Sequence, residues 1–287
     1  MHENHLHCYL NDELLPLHEA TVSIQNRSFR YGDGIFESIR VVHKNIPFFH
    51  LHYQRLIAGL NALQIEIPNH FNKFYIKSKL IDLIAANKIE SDARIRLTLY
   101  RQGEGNYTPE NNRLGYLMEC TPLASEGYSL NKQGLMLDIF YQYQKDERFL
   151  THVKHASALI YVLASRFAKD NNCAEAIIIN NSGRVVESSS SNIFIIKDNK
   201  IITPPLSEGA LPGVMRSIVL TIGTWHEMAF VEQILTIDDV LNADEVFLTN
   251  AIKGIQWVVG CQHKRYFRKQ TPRLVDALNM YCESLLF

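Results

Sequence analysis

Several residues in the second half of the chain could together bind an anion next to an acid. Glu187 ends a short apolar stretch, and Gly213 precedes a helical pattern that starts at Val214 and runs to about residue 223. A glycine lets a ligand approach the backbone, and the N–H groups of Val214 and Met215 at a helix start attract negative charge. The pattern predicts a phosphate-type site, although Pro212 and Gly213 also suit an ordinary strand-to-helix connection.

Lys154 is the candidate amine for covalent chemistry at such a site. An amine that forms a Schiff base must lose its proton near neutral pH, which desolvation favours. Lys154 precedes an apolar run and lies about 33 residues before Glu187, whereas Lys73 and Lys197 lie in polar stretches. Position alone leaves Lys154 as one candidate among several.

The string from Glu187 to Arg216 resembles the signature of the class IV, pyridoxal-phosphate-dependent aminotransferases. Three further segments resemble motifs of the same family. They are Phe29–Arg40, a glycine turn followed by a strand; His52–Leu56, a His-x-x-Arg-Leu helix; and Ala243–Asn250, a late strand with a phosphate loop. Together the motifs extend over the chain from about residue 6 to about residue 265.

The resemblance implies pyridoxal 5'-phosphate as cofactor and gives roles to individual residues. Lys154 is expected to form the Schiff base and to move the substrate proton, and Glu187 to hold the pyridine nitrogen. The remaining residues expected to bind the cofactor are Arg55, Asn192, Gly213, Val214, Met215, Thr249 and Asn250.

Two arginines on one predicted strand compete for the substrate carboxylate. Arg96 aligns with the position that branched-chain aminotransferases use, and Arg101 with the one that D-amino-acid aminotransferases use. Both remain open, because a surface strand can carry arginines without a ligand. The other residues expected to contact the substrate are Tyr31, Phe36, Arg40 and Tyr107.

Departures from the family leave the reaction open between two classes. Leu159 stands where branched-chain enzymes have a tyrosine, and the loop Thr249-Asn250-Ala251 is closer to the aminodeoxychorismate lyases. The expected function is a transaminase acting on a branched-chain or D-amino acid. The alternative is a 4-amino-4-deoxychorismate lyase that releases pyruvate and 4-aminobenzoate, and a third reading is a catalytically silent cofactor-binding protein.

The implied fold is α+β, the two-domain fold type IV of pyridoxal-phosphate enzymes. A smaller N-terminal α/β domain is expected over residues 1–121, a linker over 122–131, and a larger cofactor-binding domain with a mixed, barrel-like sheet and helices over 132–287. Periodicity predicts a hairpin around Asn11-Asp12, then helices, and strands with alternating apolar residues. The predicted helices lie near 50–63, 71–86, 156–169 and 214–223, with a last helix capped by Thr271; the predicted strands lie near 36–43, 93–100, 135–141, 175–180, 191–196 and 200–203.

The composition of the chain limits the classes of molecule that it is expected to bind. With 29 basic and 30 acidic side chains among 287 residues, there is no electrostatic case for nucleic acid. Five scattered cysteines and the absence of a long apolar run favour a cytoplasmic protein, and the family implies a homodimer acting on small molecules. His2, His5, His7 and Cys8 are read as a chain end entering a strand, so no metal is expected.

Overall fold

The computed structural model describes residues 6–223 and 229–285. The chain forms two compact units. The first contains the chain up to Gly127 together with Val153–Ser157, and the second contains Tyr128–His152 and the chain from Ala158 onward. Both units combine helices with strands, which confirms the α+β class. Within the described ranges, no helix has the length and apolar character needed to cross a bilayer.

The first unit is built on one antiparallel sheet. Its elements are β1 His7–Leu10, β2 Glu13–Pro16, α1 Arg27–Tyr31, β3 Gly34–Val41, α2 Phe49–Ala62, α3 Lys73–Ala86, β4 Ala93–Arg101 and β5 Leu114–Pro122. The strands follow the order β2-β1-β5-β4-β3. The hairpin, the two long helices and β3 and β4 are confirmed as predicted to within a few residues, whereas β5 was not predicted.

The faces of this sheet follow the alternation predicted for β4. Ile95, Leu97 and Leu99 are fully buried, whereas Arg96 and Thr98 between them are partly exposed. In the antiparallel pair, Phe36 stands opposite Thr98, and Ser38 stands opposite Arg96. Directly opposed residues project from the same side of a sheet. Phe36, Ser38, Arg96 and Thr98 therefore share one face.

A segment from later in the chain pairs with the outer edge of β3. The Phe36 N–H donates to the Lys154 carbonyl at 2.9 Å, and the Ala156 N–H donates to the Gly34 carbonyl at 2.8 Å. Gly32 makes room for this segment, because its φ is +67° and a Cβ there would lie 2.9 Å from the Cβ of Ser157. The pairing fixes Lys154 beside the start of β3.

The second unit contains a larger mixed sheet and four helices among its described residues. Its elements are β6 Leu135–Lys145, α4 Leu159–Asp170, β7 Glu175–Asn180, β8 Val185–Ser188, β9 Asn192–Lys197, β10 Lys200–Thr203, α5 Val214–Gly223, β11 Ala229–Glu232, α6 Ile237–Leu241, β12 Glu245–Asn250, β13 Gly254–Cys261, β14 Lys264–Arg265 and α7 Thr271–Ser284. The strand order is β11-β10-β9-β12-β13-β6-β7-β8, and β14 pairs with β13.

Central strands of the second unit are buried on both faces, as the near-continuous apolar runs of β9 and β12 require. Phe194 on β9 and Phe247 on β12 stack with ring centroids 4.9 Å apart. The helix α5 packs against β12 and α7. At the start of α5, Gly213 lies against Asn192, which stands opposite Thr249 near the end of β12.

Two helix starts differ from the sequence prediction. Helix α4 begins at Leu159 rather than near Ala156, because the preceding residues are extended and pair with β3. Thr271 is not the cap of α7, since Gln270 occupies that position. The Thr271 hydroxyl instead donates to the buried carboxylate of Glu245 at 2.8 Å. The Thr271 hydroxyl, which the sequence predicted to cap α7, therefore hydrogen-bonds to Glu245 instead.

Candidate active site

Lys154 and Arg96 both lie over the ring of Phe36. The Lys154 Nζ is 4.4 Å from the ring centroid, and the guanidinium carbon of Arg96 is 4.2 Å from the same point. Cations are attracted to the electron-rich face of an aromatic ring. The first unit thus brings together the candidate Schiff-base amine and one of the two candidate arginines for the substrate carboxylate.

The guanidinium of Arg96 makes no hydrogen bond to any described residue, although the side chain is half-buried. Burial lowers the pKa of Arg96, the Glu119 carboxylate raises it, and Arg94 lowers it. The group still remains charged, because a guanidinium does not lose its proton in proteins. A partly desolvated guanidinium with unfilled donors is well suited to bind a carboxylate through two parallel hydrogen bonds.

Arg101 has its donors filled by the protein. Its Nε donates to Asp33 at 3.0 Å, and its Nη1 donates to Asn112 Oδ1 at 2.5 Å and to the Gln64 carbonyl at 3.2 Å. Its Nη2 donates to the Leu63 carbonyl at 2.5 Å. The side chain is buried. These contacts tie β4 to the chain around α2.

Arg40 also lies in an internal network. Its Nη2 donates to Asp92 at 2.7 Å and to the Ser125 carbonyl at 2.8 Å. Asp92 is fully buried and also accepts the N–H groups of His43 and Gly127, at 3.1 and 2.9 Å. The Arg40–Asp92 pair therefore holds together three stretches of the first unit.

Arg55 is gripped by a buried acid on β3. Its Nε and Nη2 reach the two Glu37 oxygens at 2.7 and 2.6 Å, and His52 Nδ1 lies 2.8 Å from Glu37 Oε2. Burial alone would raise the pKa of Glu37, but the charge of Arg55 and the hydrogen bonds from Arg55 and His52 lower it to about 2. Burial lowers the pKa of His52 despite its contact with Glu37. The His-x-x-Arg-Leu motif is thus oriented by Glu37.

Tyr31 and Tyr107 lie together, with ring centroids 5.6 Å apart. Arg27 organises them, because its guanidinium lies 5.2 Å from the Tyr31 ring centroid and donates to the Asn106 carbonyl at 2.5 Å and to the Tyr107 carbonyl at 3.3 Å. The Tyr107 side chain is almost wholly exposed, at 90%. The two tyrosines form an exposed aromatic pair on the first unit.

Glu187 is buried in the second unit and accepts three hydrogen bonds there. Its Oε1 accepts from Lys145 Nζ at 2.5 Å and from the Tyr161 hydroxyl at 2.7 Å. Its Oε2 accepts from the Leu211 N–H at 2.9 Å. The pKa of Tyr161 is raised by burial and by the charge and hydrogen bond of Glu187, so the phenol stays a neutral donor. The predicted acid is therefore held in one orientation.

The residues of the second unit that were predicted for the phosphate lie near the start of α5, whereas Arg55 lies on α2 in the first unit. Thr249 stands opposite Asn192 in the β9–β12 pair, and a Cβ on Gly213 would lie only 1.9 Å from Asn192 Oδ1. The first N–H groups of α5, at Val214 and Met215, have no partner within the helix. The Thr249 hydroxyl is buried and has no hydrogen-bond partner among the described residues. An anion with several oxygens would satisfy these donors.

A buried carboxylate shapes the serine turn that precedes Asn192. Glu175 accepts the Ser188 hydroxyl at 2.6 Å, the Ser190 hydroxyl at 2.8 Å and the Ser191 hydroxyl at 2.9 Å. The Ser191 hydroxyl in turn accepts from Asn250 Nδ2 at 3.0 Å. Glu175 thereby links the turn to the end of β12, where Asn250 was predicted to bind the phosphate.

The sequence predicts that four residues, His2, His5, His7 and Cys8, form a chain end that enters a strand. His7 and Cys8 lie in β1, whereas His2 and His5 lie outside the described residues. In the part of the chain that the structure describes, no group of three or more His, Cys, Asp or Glu side chains could hold a metal ion.

Comparison with known proteins identifies the family. A sequence model described as amino-transferase class IV matches residues 34–261 of the chain. This chain belongs to the class IV aminotransferases. The resemblance carried by the signature from Glu187 to Arg216 is confirmed, since that signature lies inside the matched region.

Class IV relatives named for different activities resemble the chain to similar degrees. A D-alanine aminotransferase from Staphylococcus aureus (strain N315) is 30% identical over 88% of this chain and 87% of its own. An aminodeoxychorismate lyase from Vibrio harveyi is 27% identical over 85% of this chain and 89% of its own. Sequence similarity alone therefore does not separate the two reactions.

Solved structures share the fold. A branched-chain aminotransferase from Thermoproteus uzoniensis, crystallised with norvaline, matches with a TM-score of 0.89 and 22% identity over 98% of this chain and 95% of its own. A branched-chain amino acid aminotransferase from Thermobaculum terrenum, solved in its PLP form, matches with a TM-score of 0.85 and 23% identity over 99% of this chain and 94% of its own. The expected fold type is confirmed.

Sequence reasoning missed three side chains that support the predicted residues. Lys145 and Tyr161 bind Glu187, and Glu175 binds the serine turn. Lys145 follows a polar Tyr-Gln-Tyr-Gln stretch and Tyr161 lies inside an apolar run, so neither position differs from an ordinary surface or core residue. The four consecutive serines were the one available signal, because so many hydroxyls in a buried turn need an acceptor.

The Glu37 cluster predicts an acid-dependent loss of stability. The folded-state pKa of Glu37 is about 2 against an ordinary value of 4.5, so the unfolded chain takes up the proton first as the pH falls. The stabilisation is complete above pH 4.5 and is lost as the pH falls towards 2, about 3 kcal/mol in all.

Urea unfolding at pH 5, 4 and 3 should show this slope in the wild type and a much shallower one in Glu37→Gln. Glu126→Gln, on an exposed side chain of the same unit, should keep the wild-type slope. Equal slopes in all three proteins would contradict the assignment.

Proposed function

We propose that the protein is a pyridoxal-phosphate-dependent aminotransferase that moves an amino group from an amino acid to a 2-oxo acid. The observation that carries the proposal is the pair of cations on Phe36. Lys154 supplies an amine, and Arg96 supplies a carboxylate-binding group on the same aromatic ring. An α-amino acid carries its amine and its carboxylate on one carbon, so a substrate whose amine takes the place of the Lys154 amine would have its carboxylate within reach of Arg96.

The second unit supports pyridoxal 5'-phosphate as the cofactor. Its phosphate would be held by the N–H groups of Val214 and Met215, by the Thr249 hydroxyl and by Asn250, with Gly213 leaving room beside Asn192. When bound, this cofactor supplies an aldehyde that condenses with amines and a ring that withdraws electrons. We assign Arg55, oriented by Glu37, to the phosphate as well.

The catalytic roles are divided between a base and an acid. Lys154 would move the proton between the substrate Cα and the cofactor carbon that carried the aldehyde, as a half-buried amine beside an aromatic ring can do. Glu187 would accept a hydrogen bond from the protonated ring nitrogen, since its Oε2 has room for a second donor beside the Leu211 N–H.

Arg96 is our choice for the substrate carboxylate. Its donors are unfilled among the described residues, whereas Arg101 and Arg40 are occupied by Asp33 and Asp92. We propose that the last two arginines support the fold of the first unit. This favours recognition of the branched-chain type over the D-amino-acid type, with Phe36 and the Tyr31–Tyr107 pair as candidate apolar walls.

A second candidate reaction is 4-amino-4-deoxychorismate cleavage. The loop Thr249-Asn250-Ala251 favours it, as does the similarity to the Vibrio harveyi lyase. Both reactions require Lys154 and Glu187, so these residues do not discriminate between them.

We also propose a cytoplasmic homodimer. Helix α4 exposes three large apolar side chains, Leu159, Val162 and Leu163, at 72%, 60% and 41%. The neighbouring strand β6 exposes Tyr141 and Tyr143, at 52% and 58%. Exposed large apolar side chains on two elements that pack against each other are typical of an interface. All five cysteines are free thiols, as is usual in a reducing compartment.

The first prediction for this function concerns the half-reaction. Cofactor-loaded protein mixed with single L- or D-amino acids and no oxo acid should convert the pyridoxal form of the cofactor to the pyridoxamine form, as seen by absorbance. An unchanged spectrum with amino acids, together with pyruvate released from aminodeoxychorismate, would establish the lyase instead.

Variants of two lysines control this measurement. Lys154→Ala should lower the conversion rate by more than about a thousandfold, because both the covalent link and the base are lost. Lys169→Ala, at the exposed end of α4, should convert at the wild-type rate. Full activity in Lys154→Ala would overturn the assignment of the amine.

A second prediction separates the arginines. Arg96→Gln should lower kcat/KM for the amino acid by roughly a hundredfold, because a charged donor to the carboxylate is lost. Arg94→Gln, an exposed neighbour on the same strand, should leave kcat/KM unchanged. Steady-state kinetics on both variants would contradict the proposal if Arg96→Gln retained wild-type kcat/KM.

The dimer is tested by charge on the apolar face. Val162→Glu should weaken self-association at least about tenfold, because an unpaired carboxylate would be buried in the interface. Met280→Glu, which changes a comparably exposed apolar residue on α7, should leave self-association unchanged. Sedimentation velocity would overturn the proposal if the wild-type protein were a monomer or if both variants associated equally.

A further inference from the structure

Lys145 occupies a place that local sequence does not explain. It ends β6 after four exposed residues, at an irregularity in the pairing of β6 with β7, and opposes Asn180. Such irregularities redirect side chains. Here the redirected side chain is a lysine that is only 9% exposed, and its Nζ contacts Glu187 rather than water. Burying an ammonium is unfavourable unless it is paired and hydrogen-bonded.

Lys145 and Tyr161 contact each other and donate to the same oxygen of Glu187. Nζ lies 2.5 Å from Glu187 Oε1 and 2.7 Å from the Tyr161 hydroxyl, which itself donates to the same Oε1 at 2.7 Å. Nζ also lies 5.3 Å from the Tyr161 ring centroid. Lys145, Tyr161 and the Leu211 N–H are the groups that hydrogen-bond to Glu187 among the described residues. Of these, Lys145 alone carries a full charge.

Two consequences follow for the acid. Because Oε1 already accepts two donors, Oε2 is the oxygen that can accept a further hydrogen bond from a ligand. Because the lysine charge offsets the carboxylate charge, a cation placed at Oε2 is stabilised less than it would be by an unpaired carboxylate. An aromatic nitrogen at that oxygen would therefore hold its proton less tightly.

We infer that Lys145 is a positioning residue that sets the acceptor strength of Glu187, turning Oε2 towards the ring nitrogen of the cofactor and lowering the proton affinity of that nitrogen. The inference rests on the proposed role of Glu187. It gives the chain a built-in means of moderating how strongly the ring withdraws electrons, since a protonated ring is the stronger electron sink.

The test is the pH titration of the ring nitrogen, followed by NMR of protein loaded with ¹⁵N-labelled cofactor. Lys145→Gln keeps a hydrogen-bond donor but removes the charge. In this variant the pH midpoint of the ring-nitrogen titration should rise by about one unit or more, which favours the protonated nitrogen about tenfold. Lys145→Arg, which keeps the charge, should titrate near the wild type. Tyr161→Phe, which removes the neutral donor and keeps the lysine, should also stay near it.

Two further variants make the outcomes separable. Glu187→Gln should lower the midpoint, because the ring loses its anionic partner while Lys145 remains. A shift in Glu187→Gln with none in Lys145→Gln would overturn the inference and leave the proposed function standing. No shift in either would overturn the role of Glu187 itself. Thermal unfolding of the cofactor-free proteins shows whether each variant folds. If Lys145→Gln does not fold, Lys145→Met, whose side chain has a similar length and no charge, takes its place.

Discussion

The burial of carboxylates is the constraint on which this structure depends. Glu37, Asp92, Glu175 and Glu187 are each at most 5% exposed, and an unpaired charge in such a place would cost several kcal/mol. Each acid is therefore surrounded by donors from distant parts of the sequence. Glu187 is itself a predicted functional residue, and three others are held by the remaining acids: Arg55 by Glu37, Arg40 by Asp92, and Asn250 by Glu175 through Ser191. The clusters that stabilise the fold therefore also orient part of the site.

The clusters differ in the donors they use, and the difference has chemical consequences. Glu175 is satisfied by serine hydroxyls and a backbone N–H, all of them neutral donors, and it serves to shape a turn. Glu37 and Asp92 are each paired with an arginine, which presents a fixed fork of donors. Glu187 is paired with a lysine and a phenol on one oxygen and a backbone N–H on the other. Of the four acids, only Glu187 combines a lysine charge beside one oxygen with a second oxygen, Oε2, that can accept a further hydrogen bond from a ligand.

Local signals in the sequence predicted what depends on local physics. Strand β7, Glu175–Asn180, and helix α5, Val214–Gly223, appear where apolar runs and the Pro-Gly helix entry indicated them. Contacts between distant segments left no such signal. The pairing of residues 153–157 with β3 joins segments more than a hundred residues apart. Because of this pairing, α4 begins about three residues later than the sequence predicted. Lys145 belongs to the same category, because it faces Glu187 at an irregularity in the pairing of β6 with β7 that the sequence does not announce.

The alternation of side chains along β4 could already have separated Arg96 from Arg101 at the level of sequence. Successive side chains of a strand point to opposite faces, so residues an odd number apart cannot share a face of a regular strand. Arg96 and Arg101 differ by five positions, and β4 pairs with β5 without interruption across both. Arg96 therefore lies on the face that carries Phe36, whereas Arg101 projects from the opposite side, where Asp33 holds it. If Arg96 is the carboxylate ligand, Arg101 could serve the same substrate only if the register of β4 changed by one residue, which would also expose Ile95, Leu97 and Leu99.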